Sequence, residues 1–301
     1  MTKTSLKDRI KQGPLLLDGA MGTELIARGI QVGACNEYLN IDSAGIISDI
    51  HNAYLLAGSD AIIANTFGAN KYVLARHGFA EEADRINKAG AELARDVAGE
   101  EKYVLGDIGP SGDFLEPLGA LRPDELKDAF AAQAGALLAG GVDGFIIETM
   151  TAPEETIIAV EAIKSVAGDR PVLVSMSFDE AGDSFKTMMG ISVEAAVSRI
   201  VPLNVEAMGF NCGTLSLDQY VVLSEEFVSA VRALSDDVAI CAEPNAGKPE
   251  LIDDKAVYKV SPEDFAITAE KIHSAGVSII GGCCGTGPAH IEAVAKRIKT
   301  V

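Results

Sequence analysis

The chain has 301 residues, 48% of them hydrophobic, which suits one large α/β domain or two small ones. With 44 acidic residues against 25 lysines and arginines the formal net charge is −19, which argues against nucleic acid and anionic membranes as partners and leaves room for a docked basic protein. No apolar stretch approaches the roughly 20 residues of a membrane span, the opening MTKTSLKDRIKQGP lacks the apolar core of a signal peptide, and five sparse cysteines suit a reducing cytoplasm better than a disulfide framework.

In chain order, eight short apolar runs each end in Gly, Asp, Glu, Asn, Thr or Cys. They are PLLLDGAMG from Pro14, AIIANTFGA from Ala61, YVLGDIGP from Tyr103, GFIIETM from Gly144, PVLVSMSF from Pro171, AMGFNCG from Ala207, VAICAEPNAG from Val238 and VSIIGGCCG from Val277. Such runs read as buried parallel strands. The seven intervals between them have room for helices. RPDELKDAFAAQAGALLAGG carries Pro123 near its start, acids in its first turn and Gly140–Gly141 at its end; SPEDFAITAEKIHSAG has Ser261 as N-cap, Pro262 at the first helical position and Gly276 as its stop. Eight strand–helix units fit a (β/α)8 TIM barrel occupying residues 1–301 as one domain. The rival doubly wound sheet would usually carry G-x-G-x-x-G after its first strand, and DGAMGTEL does not match it. Two long loops, SGDFLEPLGALRP and GKPELIDDKAVYKV, read as rim or lid segments.

In a barrel the strand ends converge on one face. Cys212 ends the sixth strand, and Cys283 and Cys284 end the eighth. Strands two apart lie roughly 9–10 Å from each other, a gap that cysteines facing across it can close around one ion. Gly281, Gly282 and Gly285 let the backbone turn so that both adjacent cysteines can serve. Adjacent cysteines bridge each other only with strain. Three thiolates with an open fourth position read as a catalytic metal site rather than a closed structural one; the bland alternative is small buried hydrophobes, the reading preferred for Cys241, while Cys35 sits in a loop without partners. His51, His77, His273 and His290 show no metal-ligand spacing, and KIHSAG lacks the aspartate of a corrinoid-binding D-x-H-x-x-G, with Lys271 in its place.

DGAMGTEL, NTFGAN, GDIGPSG, DGFIIETM, GFNCG, AEPNAGKP and GGCCGTGPAHI, in that order, resemble the homocysteine S-methyltransferase family, and within it the homocysteine-binding domain of cobalamin-dependent methionine synthases. The resemblance implies Zn2+ held by Cys212, Cys283 and Cys284, with the homocysteine sulfur at the open position. A coordinated thiol is deprotonated outright, whereas a free thiol of pKa about 8.5 is mostly protonated at pH 7. The resemblance further implies Asp18 and Glu148 at the substrate ammonium. The backbone N–H groups of Gly19 and Ala20 are candidates for its carboxylate, Asn245 for the metal or the substrate, and Asn65 and Thr66 for a supporting role. Asp18 read alone is a turn residue before Gly19, and Glu148 a helix-starting acid.

The activity expected from the resemblance is methyl transfer to homocysteine to give methionine, in the cytoplasm. The donor is a methylated corrinoid, methylcobalamin on a separate protein, because no corrinoid motif is present. Alternatives are S-methylmethionine, S-adenosylmethionine or betaine as donor, or a non-catalytic thiol- or zinc-binding barrel. The partner is expected to touch the loops around Asp113–Glu116 and Pro249–Tyr258, through Asp113, Glu116, Glu250, Asp253 and Asp254.

Overall fold

The structure, a computed structural model, describes residues 3–252 and 255–299; Asp253 and Asp254 of the expected rim lie outside the described residues. All eight apolar runs form strands: β1 (Leu15–Leu16), β2 (Ala61–Ile63), β3 (Tyr103–Ile108), β4 (Gly144–Met150), β5 (Val172–Met176), β6 (Ala207–Asn211), β7 (Ala239–Glu243) and β8 (Ile279–Ile280). They form one sheet in the order β1-β8-β7-β6-β5-β4-β3-β2, parallel throughout. Between β1 and β2 the ring is closed by the Asp60 N–H donating to the Leu16 carbonyl (2.7 Å) and the Leu16 N–H donating to the Asp60 carboxylate (3.0 Å). This is the (β/α)8 barrel expected from the sequence.

The outer ring comprises α1 (Ala44–Leu56), α2 (Ala83–Ala98), α3 (Pro123–Ala139), α4 (Pro153–Ala167), α5 (Val193–Ile200), α6 (Leu217–Arg232), α7 (Pro262–Ser274) and α8 (Pro288–Ile298). Their ends obey local chemistry. The Ser261 hydroxyl accepts from the Asp264 N–H at the start of α7, and Ser216 and Gln219 form a reciprocal capping box at the start of α6. No helix among the described residues is long and apolar enough to cross a membrane.

Strand residues alternate between the two faces of the barrel wall. Leu15, Leu17, Ala61, Tyr103, Leu105, Ile146, Leu173, Ala207, Ala239, Cys241 and Ile279 fill its interior, together with Leu6 and Ile10. The alternate residues, such as Val104, Phe145, Ile147, Val174, Met208, Phe210 and Ile240, join the larger core shared with the helices. Continuing the inward series two residues further, or four on β6 where Gly209 intervenes, brings Asp107, Glu148, Ser175, Asn211, Glu243 and Gly281 to the C-terminal end of the barrel. The wall therefore changes from apolar to polar within one layer. The long loop after β7 contains the hairpin Glu250–Ile252/Lys255–Val257, and a second hairpin, Asp179–Ala181/Ser184–Lys186, follows β5.

Candidate active site

Cys212 leaves the end of β6 with φ of 55°, and its N–H donates to the Glu243 carbonyl on β7 (3.3 Å). Cys283 and Cys284 lie in the turn after β8, held by the Cys283 N–H donating to the Pro244 carbonyl and the Ala246 N–H donating to the Cys284 carbonyl, both 2.9 Å. The turn requires Gly285: its φ is +82°, and a Cβ there would lie 2.2 Å from the Tyr258 ring. The sulfurs are 2.8 Å (Cys212–Cys283), 3.8 Å (Cys212–Cys284) and 4.0 Å (Cys283–Cys284) apart. A tetrahedral site with Zn–S bonds of about 2.3 Å has S···S edges of about 3.8 Å. Two separations fit as they stand, and the third must open by about 1 Å. Among the described residues these cysteines are the one group of three or more His, Cys, Asp or Glu close enough to hold a metal ion. Cys241 is buried in the barrel interior, as expected, whereas half-buried Cys35, expected without partners, donates to Glu37 Oε2 (3.7 Å).

Crowding splits the three thiols. Hydrogen bonds from Cys212 and then Cys283 pull Cys284 down to about 3. Cys283 is pushed up by its bonds to Cys212 and Cys284 and by burial. At Cys212 the bond with Cys283 acts downward, but the bond to Cys284 and burial outweigh it. The cluster therefore favours one thiolate stabilised by two S–H donors. A cation binding all three sulfurs displaces the remaining protons.

Beside the thiols stand four carboxyl groups: buried Asp18 after β1, Asp107 on β3 and Glu243 on β7, and half-buried Glu148 on β4. Burial is the first cause raising each of them; repulsion from Glu148 adds to it at Asp18, Asp107 and Glu243, while Glu148 itself, pushed up to about 7, is lowered by its hydrogen bond with Asp107 and raised by the charge of Cys284. Asp18 Oδ2 accepts from the Ile63 N–H (3.0 Å). Asp18 Oδ1, Asp107 Oδ1 and Glu243 Oε1 are buried without a hydrogen-bond partner. Such atoms are costly unless a ligand donates to them.

Fully buried Asn211 joins this layer to the sulfurs. Its Oδ1 accepts from the Thr149 N–H (2.7 Å) and the Ser175 hydroxyl (2.9 Å). Its Nδ2 faces Thr149 Oγ1 (2.7 Å), Glu148 Oε2 (3.1 Å) and Cys283 Sγ (3.8 Å). Thr149 has φ of 58°, a strained conformation for a β-branched residue, and Asn211 holds both its N–H and its hydroxyl.

Residues 15–298 match the family described as homocysteine S-methyltransferase. The chain belongs to that family. It is 32% identical to the methionine synthase of Mycobacterium tuberculosis (strain ATCC 25618 / H37Rv) over 317 residues, covering 99% of this chain and 26% of the relative. It is also 32% identical to the methionine synthase of Mycobacterium leprae (strain TN) over 316 residues, covering 98% of this chain and 25% of that one. The chain thus spans about a quarter of the length of these curated relatives. In fold it resembles the metallated form of the homocysteine methyltransferase MmuM from Escherichia coli, with a TM-score of 0.77 at 23% identity, covering 98% of this chain and 100% of that one.

Within this family member the expected site residues fall into two groups. Cys212, Cys283, Cys284, Asp18 and Glu148 gather at the C-terminal mouth of the barrel. Asn245 is beside them: its Nδ2 donates to the Gly213 carbonyl (2.7 Å), while its Oδ1 is buried without a partner. Three others are engaged elsewhere. The Ala20 N–H, next to Gly19, donates to Thr286 Oγ1 (3.2 Å). Asn65 Nδ2 donates to the Asn36 carbonyl (2.8 Å) and Asn40 Oδ1 (3.0 Å). The Thr66 hydroxyl donates to the Asp107 carbonyl (2.8 Å) and accepts from the Asp107 N–H (3.2 Å), so Thr66 fixes the backbone of Asp107. Asp107, Asn211 and Glu243 were not singled out from the sequence. The signal was available in the two-residue alternation: Leu105 and Cys241 face the barrel interior, so Asp107 and Glu243 follow on the same face.

Proposed function

We propose that this protein methylates the sulfur of homocysteine to give methionine, with Cys212, Cys283 and Cys284 holding a zinc ion. The observation that carries this reading is the cluster of three thiols set beside buried, unpartnered carboxyl oxygens. Together they suit a ligand that is a thiol at one end and an ammonium at the other. Bound zinc would supply a substrate thiolate at neutral pH. Asp18 and Glu148 receive the ammonium, and that positive charge favours their ionised forms, offsetting the burial that raises them. Asn211 fixes Glu148 relative to Cys283, so the two ends of the substrate are registered by one side chain. The sulfur attacks the donor's methyl carbon, a C–S bond forms, and the donor leaves with the electron pair of its broken bond.

The donor is a methylated corrinoid carried by a separate protein. Beside Asp113–Glu116 a cleft of about 490 Å³ is lined by Phe114, Leu115, Leu118, Met188 and Met189, with Thr149 from the site in its wall. Phe114, Leu118 and Met188 are each more than half exposed, apolar surface that a docked protein would cover. Asp113 pairs with Arg76 and Glu250 with Lys259, so apolar contact contributes more to docking than rim charge. The site of action is the cytoplasm.

The test is methionine formation by zinc-loaded protein from homocysteine and each donor in turn. A methylated corrinoid protein should turn over fastest, and free methylcobalamin only poorly because it lacks positioning. Rapid turnover with S-methylmethionine, S-adenosylmethionine or betaine alone would replace the corrinoid donor. No methionine from any donor, with homocysteine still bound, would leave a non-catalytic thiol- and zinc-binding barrel.

A further inference from the structure

We infer that Glu243 is a third carboxylate of the ammonium clamp and makes the site select thiols that carry a primary ammonium. The inference rests on the homocysteine reading above. Glu243 closes the inward series Ala239, Cys241, Glu243 on β7 and is 2% exposed. Its Oε1 is buried without a partner, and no lysine or arginine pairs with it among the described residues. A carboxyl group in that state is unfavourable unless a ligand supplies the missing donor or counter-charge.

Glu243 also faces the right space. Gly281, on the neighbouring β8 end, leaves a gap in which a Cβ would lie 3.0 Å from Glu243 Cγ and 3.1 Å from the Asp18 carbonyl. Glu243 and Asp18 thus flank one glycine at the mouth of the barrel, and the carbonyl of Glu243 accepts the Cys212 N–H. The same residue is tied to a sulfur-bearing turn and borders the proposed ammonium site. A hard divalent cation is a poorer occupant. It gathers six or more oxygens tightly around itself, whereas no three of these carboxyl groups come as close together as the three cysteines do. The diverging N–H donors of a primary ammonium suit separate side chains.

The test compares homocysteine with 4-mercaptobutanoate, the same thiol acid without its amine, by calorimetric titration of zinc-loaded protein. The wild type should prefer homocysteine. In Glu243→Gln that preference should shrink by about tenfold, the scale of one lost charge-assisted hydrogen bond, with the loss in the homocysteine arm and zinc content unchanged. Glu243→Asp withdraws the oxygen by one methylene while keeping an acid; it should also lose preference and decides the matter should the glutamine variant not fold. An unchanged preference in the folded variants overturns the inference alone. A wild type that binds neither thiol overturns the homocysteine reading and this inference with it.

Discussion

Asn211→Ala removes the side chain that joins the clamp to the sulfurs. It leaves the half-buried Thr149 N–H and the buried Ser175 hydroxyl without their acceptor. Each buried orphan costs about 1–3 kcal/mol, and the vacated volume adds a cavity penalty. Thr149 also loses the two contacts that hold it at φ of 58°, so its strain relaxes and Glu148 shifts. The expected loss of folding stability is about 3–5 kcal/mol, read as a lower denaturation midpoint by far-UV circular dichroism with an unchanged slope. The chain has no tryptophan, which makes circular dichroism the practical probe. Homocysteine affinity should fall by about tenfold as Glu148 loses a donor, while zinc stays near one per chain because all three cysteines remain. A variant within about 1 kcal/mol of wild type would refute the view that Asn211 organises this layer.

Metal analysis should find about one zinc per chain in the wild type, Cys35→Ala and Cys241→Ser, and little in Cys212→Ala, Cys283→Ala or Cys284→Ala; full occupancy in the Cys283→Ala, Cys284→Ala double variant would remove the proposed site. Glu148→Gln and Asp18→Asn should each weaken homocysteine binding by roughly 1–3 kcal/mol in calorimetric titration with zinc retained, and wild-type affinity in both would rule out the clamp. His51 is fully buried with neither ring nitrogen hydrogen-bonded, and burial lowers its pKa from 6.5 to about 4. Its folded value lies below the unfolded one, so the neutral ring is tolerated above pH 6.5 and stability is lost as pH falls towards 4, by roughly 3 kcal/mol. His51→Leu should therefore gain on the wild type progressively over that range, and a gap of equal size at pH 4.5 and 7.5 would refute this.

The barrel was legible because its strands are buried on both faces and read as short apolar runs, from PLLL to VSII, each closed by a polar residue. The thiols were legible because a cysteine pair set in glycines is unusual, and the third cysteine falls at another strand end. What an apolar run hides is which of its residues face inward. Asp107 and Glu243 sit inside quoted motifs, but their direction follows only once Leu105 and Cys241 are known to fill the interior. Asn65 and Thr66 show the converse. Polar residues at a strand end look the same in sequence whether they meet a ligand or secure a neighbouring backbone. Asn211 was overshadowed by its neighbour Cys212, since an asparagine's role depends on which groups surround it. The Asp179–Lys186 hairpin has mostly exposed residues and no apolar alternation to announce it.

If three cysteines hold a zinc ion to which homocysteine adds its sulfur, X-ray absorption at the zinc edge, recorded without and with homocysteine, should register the added ligand. The number of sulfur neighbours at about 2.3 Å should rise from three to four when homocysteine is added to the wild type, and should not rise with homoserine, which carries oxygen in place of the sulfur. A sulfur count that stays at three with homocysteine bound, or a metal already surrounded by four sulfurs before it is added, would contradict the account.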